Sequence, residues 1–150
     1  MNNRLVVRRA TESDMKTAFK LIGELGYPDV KFPEFARTYT GAQQHPAMTL
    51  LVAECDGVVV GLASISRRPQ LRLGGDLITI DELVISDRFR GSGIGKAILE
   101  RVKSMCVELG ARRLELETTR TRESYKRRFY VKNGFSETNS AVMRIDFARQ

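Results

Sequence analysis

The chain has 150 residues, 42% hydrophobic and 29% charged, which is enough apolar material for one globular core and too ordinary a charge content for disorder. A net charge of +7 favours an anionic partner, whether nucleic acid, a membrane surface or a phosphorylated cofactor. No apolar run is long enough to span a bilayer, residues 1–9 hold no signal-sequence core, and the two cysteines lack metal-ligand spacing. These features predict a single cytoplasmic domain over residues 1–150, with no metal site and no membrane association.

Leu5-Val6-Val7-Arg8 reads as a first strand. Thr11-Glu12-Ser13-Asp14 then has the pattern of a capping box, and Met15, Ala18, Phe19, Ile22 and Leu25 follow at helical spacing up to Gly26. Tyr27-Pro28-Asp29 reads as a turn, and Pro33 opens a second, short helix with Phe32, Phe35, Ala36 and Tyr39 on one side. Local core packing is the favoured reading of that aromatic side, ahead of a substrate-pocket wall. Thr49–Cys55 and Val58–Ser66 are β-rich runs joined by Asp56-Gly57, a hairpin signal. Arg67–Gly75 reads as a basic loop, and Leu77–Ile85 as the next strand.

That strand runs into Arg90-Gly91-Ser92-Gly93-Ile94-Gly95-Lys96, and a helix with Ile98, Leu99, Val102, Met105, Cys106 and Leu109 on its apolar face runs out. Alternate glycines let main chain approach a ligand closely, and the first turn of a helix offers unpaired N–H groups at the positive end of its dipole. Such a turn holds phosphate. Its Gly-x-Gly-x-Gly spacing misses the dinucleotide pattern, and Gly91 stands one residue too close to Gly95-Lys96 for a Walker A loop, with Ala97 where Ser or Thr would follow. Leu114–Thr118 alternates as a half-buried strand, a basic segment spans Arg120–Arg128, a helix ends at Gly134, and Val142–Phe147 reads as a final strand closing the sheet. Hairpin strands interrupted by helices predict a mixed α+β sandwich and exclude a doubly wound Rossmann fold.

Arg90–Gly95 fits the Q/R-x-x-G-x-G/A motif of the GNAT superfamily of N-acetyltransferases. The strand segment Asp81-Glu82-Leu83-Val84-Ile85 resembles that family's fourth strand, and Phe129-Tyr130-Val131-Lys132-Asn133-Gly134-Phe135 resembles its F-Y-x-x-x-G-F segment. The resemblance covers nearly the whole chain. It implies a GNAT-like, mostly antiparallel central sheet flanked by helices, with a splayed parallel strand pair, Leu77–Ile85 and Leu114–Thr118, at the cofactor site. It further implies acetyl-CoA as acetyl donor. Main-chain N–H groups of Arg90, Gly91, Ser92, Gly93, Ile94, Gly95 and Lys96 would hold the pyrophosphate. Main-chain groups of Leu83, Val84 and Ile85 would pair with the pantetheine arm, as a peptide does when it adds to a sheet edge. Lys96, Arg127 and Arg128 are candidates for the 3′-phosphate.

The reaction so implied is direct transfer of an acetyl group to a primary amine of a small molecule or peptide. It needs a neutral amine, a stabilised oxyanion and a protonated leaving thiolate. The N–H of Val84 or Ile85 serves the oxyanion. Tyr130 stands at the position of the family's proton-donating tyrosine, and packing against Phe129 and Phe135 is its structural alternative. Asp81 and Glu82 are the carboxylates on the strand that ends at the thioester. Strand alternation points them to opposite faces, so at most one faces the acceptor, and Glu82, with the longer arm, is the preferred base. Glu123 and Lys126 depart from the family's Asn or Ser and Ala, so a cofactor contact there passes to Ser124 or is absent. A non-catalytic acyl-CoA-binding module is the first rival reading. A basic nucleic-acid-binding domain is the weaker second, because no aromatic-interleaved basic face or recognition helix is evident. The resemblance leaves a homodimer open.

Overall fold

The computed structural model describes residues 4–26 and 29–149; Tyr27 and Pro28 of the expected turn lie outside them. The chain divides into two compact units, Met1–Glu117 and Thr118–Gln150. The first holds one five-stranded sheet in the order β1-β2-β3-β4-β5: Leu5–Arg9, Met48–Cys55, Val58–Gln70, Gly75–Ile85 and Arg113–Leu116. The β1–β4 pairings are antiparallel and the β4–β5 pairing is parallel, which is the mixed sheet expected of the GNAT-like fold.

Each face of the sheet is closed by the helices whose apolar stripe fits it. α1 (Met15–Glu24) and α2 (Phe32–Gln44) bring Ala18, Leu21 and Tyr39 onto Leu50, Val52, Leu62 and Val84. Phe19 packs on Phe32 and Phe35 with ring centroids 5.3 and 5.2 Å apart; Tyr39 is core and Phe35 packs against it, as favoured from the sequence, while Phe32 stays 37% exposed. The Tyr39 hydroxyl donates to the Thr11 carbonyl at 2.6 Å, and burial pushes its pKa up to about 12. α3 (Ile94–Glu108) covers the other face with Ile98, Leu99 and Val102, all fully buried, each side chain stabilising the fold by roughly 1.5–3 kcal/mol. Gly61 makes room for it: a Cβ there would lie 3.0 Å from Ile85, 3.2 Å from Ile98 and 3.3 Å from Ala53.

Polar staples set the N-terminal elements. The Thr11 N–H donates to Asp14 Oδ2 at 2.7 Å, one arm of the expected capping box. Arg8 bridges the same buried carboxylate (2.8 Å) and Glu54 (2.9 Å), joining β1, β2 and the start of α1. The Asp56-Gly57 turn has positive φ at both residues, 49° and 84°, as a two-residue hairpin of right-handed twist requires.

Two expectations are corrected. Arg67–Gly75 is not a free loop: β3 and β4 stay paired out to Gln70 and Gly75, capped by a short 3-10 turn over Leu71–Leu73 and braced by an Arg67–Asp76 ion pair at 2.6 Å. Cross-strand pairing there prevails over the poor strand propensity of Arg-Arg-Pro. Val142–Phe147 is not a strand in this structure. No described residue from 136 to 149 joins a ladder, and all of them are exposed; an alternating apolar pattern makes a strand only where a neighbouring edge pairs with it. The second unit instead contains two short helices, α4 (Glu123–Lys126) and α5 (Phe129–Lys132), broken by Arg128 at φ 60°. Glu137 ties its ends together by accepting from Arg120 at 2.9 Å and from the Tyr125 hydroxyl at 3.0 Å. Cys55 and Cys106 are free thiols and half-buried.

Candidate functional site

The end of β4 carries the site in the first unit. β5 pairs with β4 only from Leu77↔Arg113 to Ile80↔Leu116, so from Asp81 to Ile85 the edge of β4 on that side has no ladder partner among the described residues. Ser86 N–H donates to the Val60 carbonyl at 2.8 Å, so by alternation Val84 is turned to β3 while the N–H and C=O groups of Leu83 and Ile85 face the edge that β5 has left. This is the splay expected of the parallel pair.

The partner on the other side introduces a change that alternation did not anticipate. Between β3 and β4 the register shifts: Ser64 faces Glu82, but Ile65 faces Ile80, leaving Asp81 as an extra residue. A bulge of this kind reverses the parity of the strand. Asp81 and Glu82 consequently lie on one face, the α1/α2 face, which corrects the expectation that they point apart. Although both residues present surface to solvent, loss of solvation is the largest influence on each carboxyl and raises its pKa. For Glu82 the neighbouring Asp81 charge raises it further. For Asp81 a hydrogen bond from Ser66 and the Arg68 charge act in the opposite sense.

Ser64, Ser66 and Arg68 form the polar column of β3 that faces these acids, and sequence reading overlooked them. The signal was present as a switch from an apolar run to period-2 polar residues in Ser64-Ile65-Ser66-Arg67-Arg68. Ser64 is 7% exposed and its Oγ has no hydrogen-bond partner among the described residues; it stands directly across from Glu82.

Beyond β4, a 3-10 turn over Asp87–Phe89 leads to the glycines. The Arg90 side chain turns back, donating to the Ile85 carbonyl at 3.2 Å and pairing with Asp87 at 2.7 Å, so it braces the turn. The Ser92 hydroxyl donates to the Phe89 carbonyl. Gly91 and Gly93 take φ of 75° and 85°, values that residues with a Cβ adopt only at a cost. Gly93 caps α3, which starts at Ile94, with Gly95 inside its first turn. The first rung is Ala97 N–H to Gly93 O at 3.0 Å, so the N–H groups of Ile94, Gly95 and Lys96 have no intrahelical acceptor. A Cβ added at Gly91 or Gly93 would meet nothing within 4 Å: the main chain is bare and the space beside it is open. Together these features suit an extended, amide-bearing arm on β4 and an anionic group on the turn.

Tyr130 belongs to the second unit. Its ring packs edge-on against Phe129 at 5.0 Å and Phe135 at 5.9 Å, and the Phe135 N–H donates to the Tyr130 carbonyl. Burial raises the phenol pKa, with the Arg122 and Arg127 charges opposing the shift, so the hydroxyl holds its proton at neutral pH. Arg127 stacks over Phe129 at 5.5 Å, and Glu123 pairs with Lys126 at 3.6 Å. No helix among the described residues is long and apolar enough to cross a membrane.

The sheet with its interrupted parallel pair, and the phosphate-holding turn that follows, define the architecture of an acyltransferase. The family model for the acetyltransferase (GNAT) family matches residues 13–135, and the chain belongs to that family. It is 27% identical over 133 residues, 89% of this chain and 86% of the relative, to the aminoalkylphosphonate N-acetyltransferase of Salmonella typhimurium. It is 26% identical over 145 residues, 95% of each chain, to the glucosamine 6-phosphate N-acetyltransferase of Trypanosoma brucei brucei. Among solved structures, the aminoglycoside N-acetyltransferase AAC(6')-Iy in complex with CoA superposes with a TM-score of 0.80 at 18% identity, covering 100% of this chain and 97% of that one, a likeness of fold.

Proposed function

We propose that residues 1–150 act as one cytoplasmic domain that transfers the acetyl group of acetyl-CoA directly to a primary amine of a small molecule. The observation that carries this reading is the continuity of the site: β4 loses its β5 partner at Asp81 and runs within a few residues into bare main chain at a helix N-terminus. An extended cofactor with a polar arm and a diphosphate needs these two features in that order. Acetyl-CoA supplies the activated acyl group as a thioester. On the protein side, Leu83 and Ile85 face the open edge and hydrogen-bond the arm, with the Ile85 N–H polarising the acyl carbonyl, while Val84 is turned to β3, as the Ser86 N–H to Val60 bond two residues on requires. The N–H groups of Arg90, Gly91, Ser92, Gly93, Ile94, Gly95 and Lys96 hold the diphosphate.

Glu82 takes the proton from the incoming ammonium. Its raised pKa suits a base working near neutrality, and Asp81 on the same face holds the ammonium by charge. Tyr130 donates its proton to the departing sulfur. The names of the two relatives point to amines that also bear a phosphonate or phosphate, and Arg68, facing Asp81, is positioned on β3 to counter such a group. The test is calorimetry with acetyl-CoA, followed by thiol release against aminoalkylphosphonates, hexosamine phosphates, polyamines and peptide N-termini. Micromolar binding and turnover on the phosphorus-bearing amines are expected. Binding without release on any amine would leave only an acyl-CoA-binding module, and turnover on peptides alone would overturn the acceptor class.

A further inference from the structure

Ser64 is a buried hydroxyl that the fold itself does not use. It is 7% exposed, its Oγ is closed to solvent, and it has no hydrogen-bond partner among the described residues. Its surroundings are set by the register. On one side it faces Leu50 of β2, and Leu62 precedes it on the same face of β3; both leucines belong to the core under α1 and α2. On the other side it faces Glu82 of β4. Neither leucine side chain can donate or accept, and a buried hydroxyl left unpaired is destabilising. With solvent shut out, its partner is a side chain that already stands on this face.

Two are in reach. Ser66 is the next residue of β3 on the same face, but its hydroxyl donates to the Asp81 carboxyl. Glu82 is directly opposite, where paired Cβ atoms lie about 4.5–5.5 Å apart, and a glutamate arm spans that gap. Glu82 is exposed, so its carboxyl can turn, and the two influences that raise its pKa, burial and the Asp81 charge, are not hydrogen bonds. The polar column of β3 thus answers the acids rung by rung, with Ser66 on Asp81 and Ser64 across from Glu82.

We propose that Ser64 is the positioning residue of Glu82: its hydroxyl donates to the Glu82 carboxylate and holds it on the α1/α2 face of the sheet. The bond gives a buried donor its acceptor and favours the ionised acid against the loss of solvation that disfavours it. No other group on this face can do so. Asp81 repels the carboxylate, and Arg68 acts on Asp81. Tyr39, the titratable residue that the helices bring to this core, has its hydroxyl engaged by the Thr11 carbonyl. The catalytic consequence rests on the reading of Glu82 as the base; the hydrogen bond does not.

The test is a carbon-13 NMR titration of the Glu82 side-chain carboxyl in the full chain, parent against Ser64→Ala. A hydrogen bond to the ionised form lowers a carboxyl pKa, so its loss should move the Glu82 midpoint to higher pH. A midpoint that stays or falls would overturn the proposal. Ser64→Thr keeps the hydroxyl and is expected to titrate with the parent; titration with the alanine variant would overturn it as well. Thermal melting reports folding of both variants, and should the added methyl unfold the chain, the alanine titration decides. In thiol-release kinetics, Ser64→Ala should lower kcat/KM by about tenfold below neutrality, with the acidic limb moved to higher pH and acetyl-CoA affinity unchanged. In a Glu82→Gln background the same substitution should change kcat/KM by no more than about twofold. An equal loss in both backgrounds would show that Ser64 acts through another group and overturn the assignment. If Glu82→Gln leaves kcat/KM at the parent value, the reading of Glu82 as base fails, and the NMR midpoint alone decides the hydrogen bond.

Discussion

Replacing Gly93 by alanine separates the turn's two roles. Gly93 has φ of 85° and an added Cβ meets nothing within 4 Å, so the substitution introduces no clash, only backbone strain. A residue with a Cβ in the left-handed region costs about 1–2 kcal/mol, and at this chain length each kcal/mol lowers Tm by roughly 2–4 °C. If the turn keeps its shape, the cost appears as a Tm lower by about 2–8 °C. If the turn relaxes to escape the strain, the N–H groups of Ile94, Gly95 and Lys96 turn away and the loss passes to cofactor affinity, at most about 5–30-fold for the same energy. Calorimetry with acetyl-CoA and with S-acetylpantetheine, which lacks the diphosphate, distinguishes the contributions. Acetyl-CoA binding should weaken several-fold while S-acetylpantetheine binding is unchanged. A lower Tm with both affinities unchanged is the outcome of a turn that keeps its shape, whereas a loss of affinity shared equally by acetyl-CoA and S-acetylpantetheine would refute the assignment of the diphosphate to this turn. Gly23→Ala in α1, another glycine with no atom near its Cβ position, is the control and should leave both affinities unaltered.

Glu82→Gln should raise Tm while lowering kcat/KM, because the fold now ionises a poorly solvated carboxyl at a cost that the amide removes; thermal melting beside thiol-release kinetics checks both. Asp81 raises the Glu82 pKa, so Asp81→Asn should move the acidic limb of the kcat/KM profile to lower pH, and a limb that stays or rises would contradict the pairing. Tyr130→Phe should reduce kcat by roughly 10²–10⁴ in a chemistry-limited assay with little change in acetyl-CoA affinity, and an unchanged kcat removes it from proton donation. Arg8→Ala strips the partner from the buried Asp14 carboxylate and should cost about 2–3 kcal/mol, less than a fully buried pair because Arg8 keeps part of its surface in water. Arg8 holds the Asp14 carboxyl below the ordinary range, so its stabilisation is complete above the unfolded carboxylate pKa and disappears as pH falls through the lowered folded value. The Tm gap between parent and variant should therefore close in acid.

Local chemistry made much of this fold readable. The Asp56-Gly57 turn, the capping residues at Thr11–Asp14 and the apolar stripes of α1 and α3 are each set by residues near in sequence, and each appears where its pattern implies. The glycine turn was equally legible, because positive φ at Gly91 and Gly93 is a demand that few residues meet. What escaped was non-local. The bulge at Asp81 depends on how β3 and β4 register, and that single extra residue changes which acids share a face. Ser64 is one polar residue in an apolar run, and its place beside the acids depends on the cross-strand register that sets it opposite Glu82. The paired arm from Arg67 to Asp76 is held by cross-strand bonds that propensity does not reveal. Val142–Phe147 has a strand's pattern, but pattern cannot supply the neighbour that makes a strand.

The central claim is that one continuous stretch of main chain, from Leu83 to Lys96, receives the arm and diphosphate of acetyl-CoA. Residue-resolved amide hydrogen exchange with and without saturating acetyl-CoA tests it most directly. Increased protection concentrated at Leu83 and Ile85 and from Gly91 to Lys96 is the predicted result, with Val84, already bonded to β3, changing least. Protection confined to other segments, with these amides exchanging as in the free protein, would contradict it.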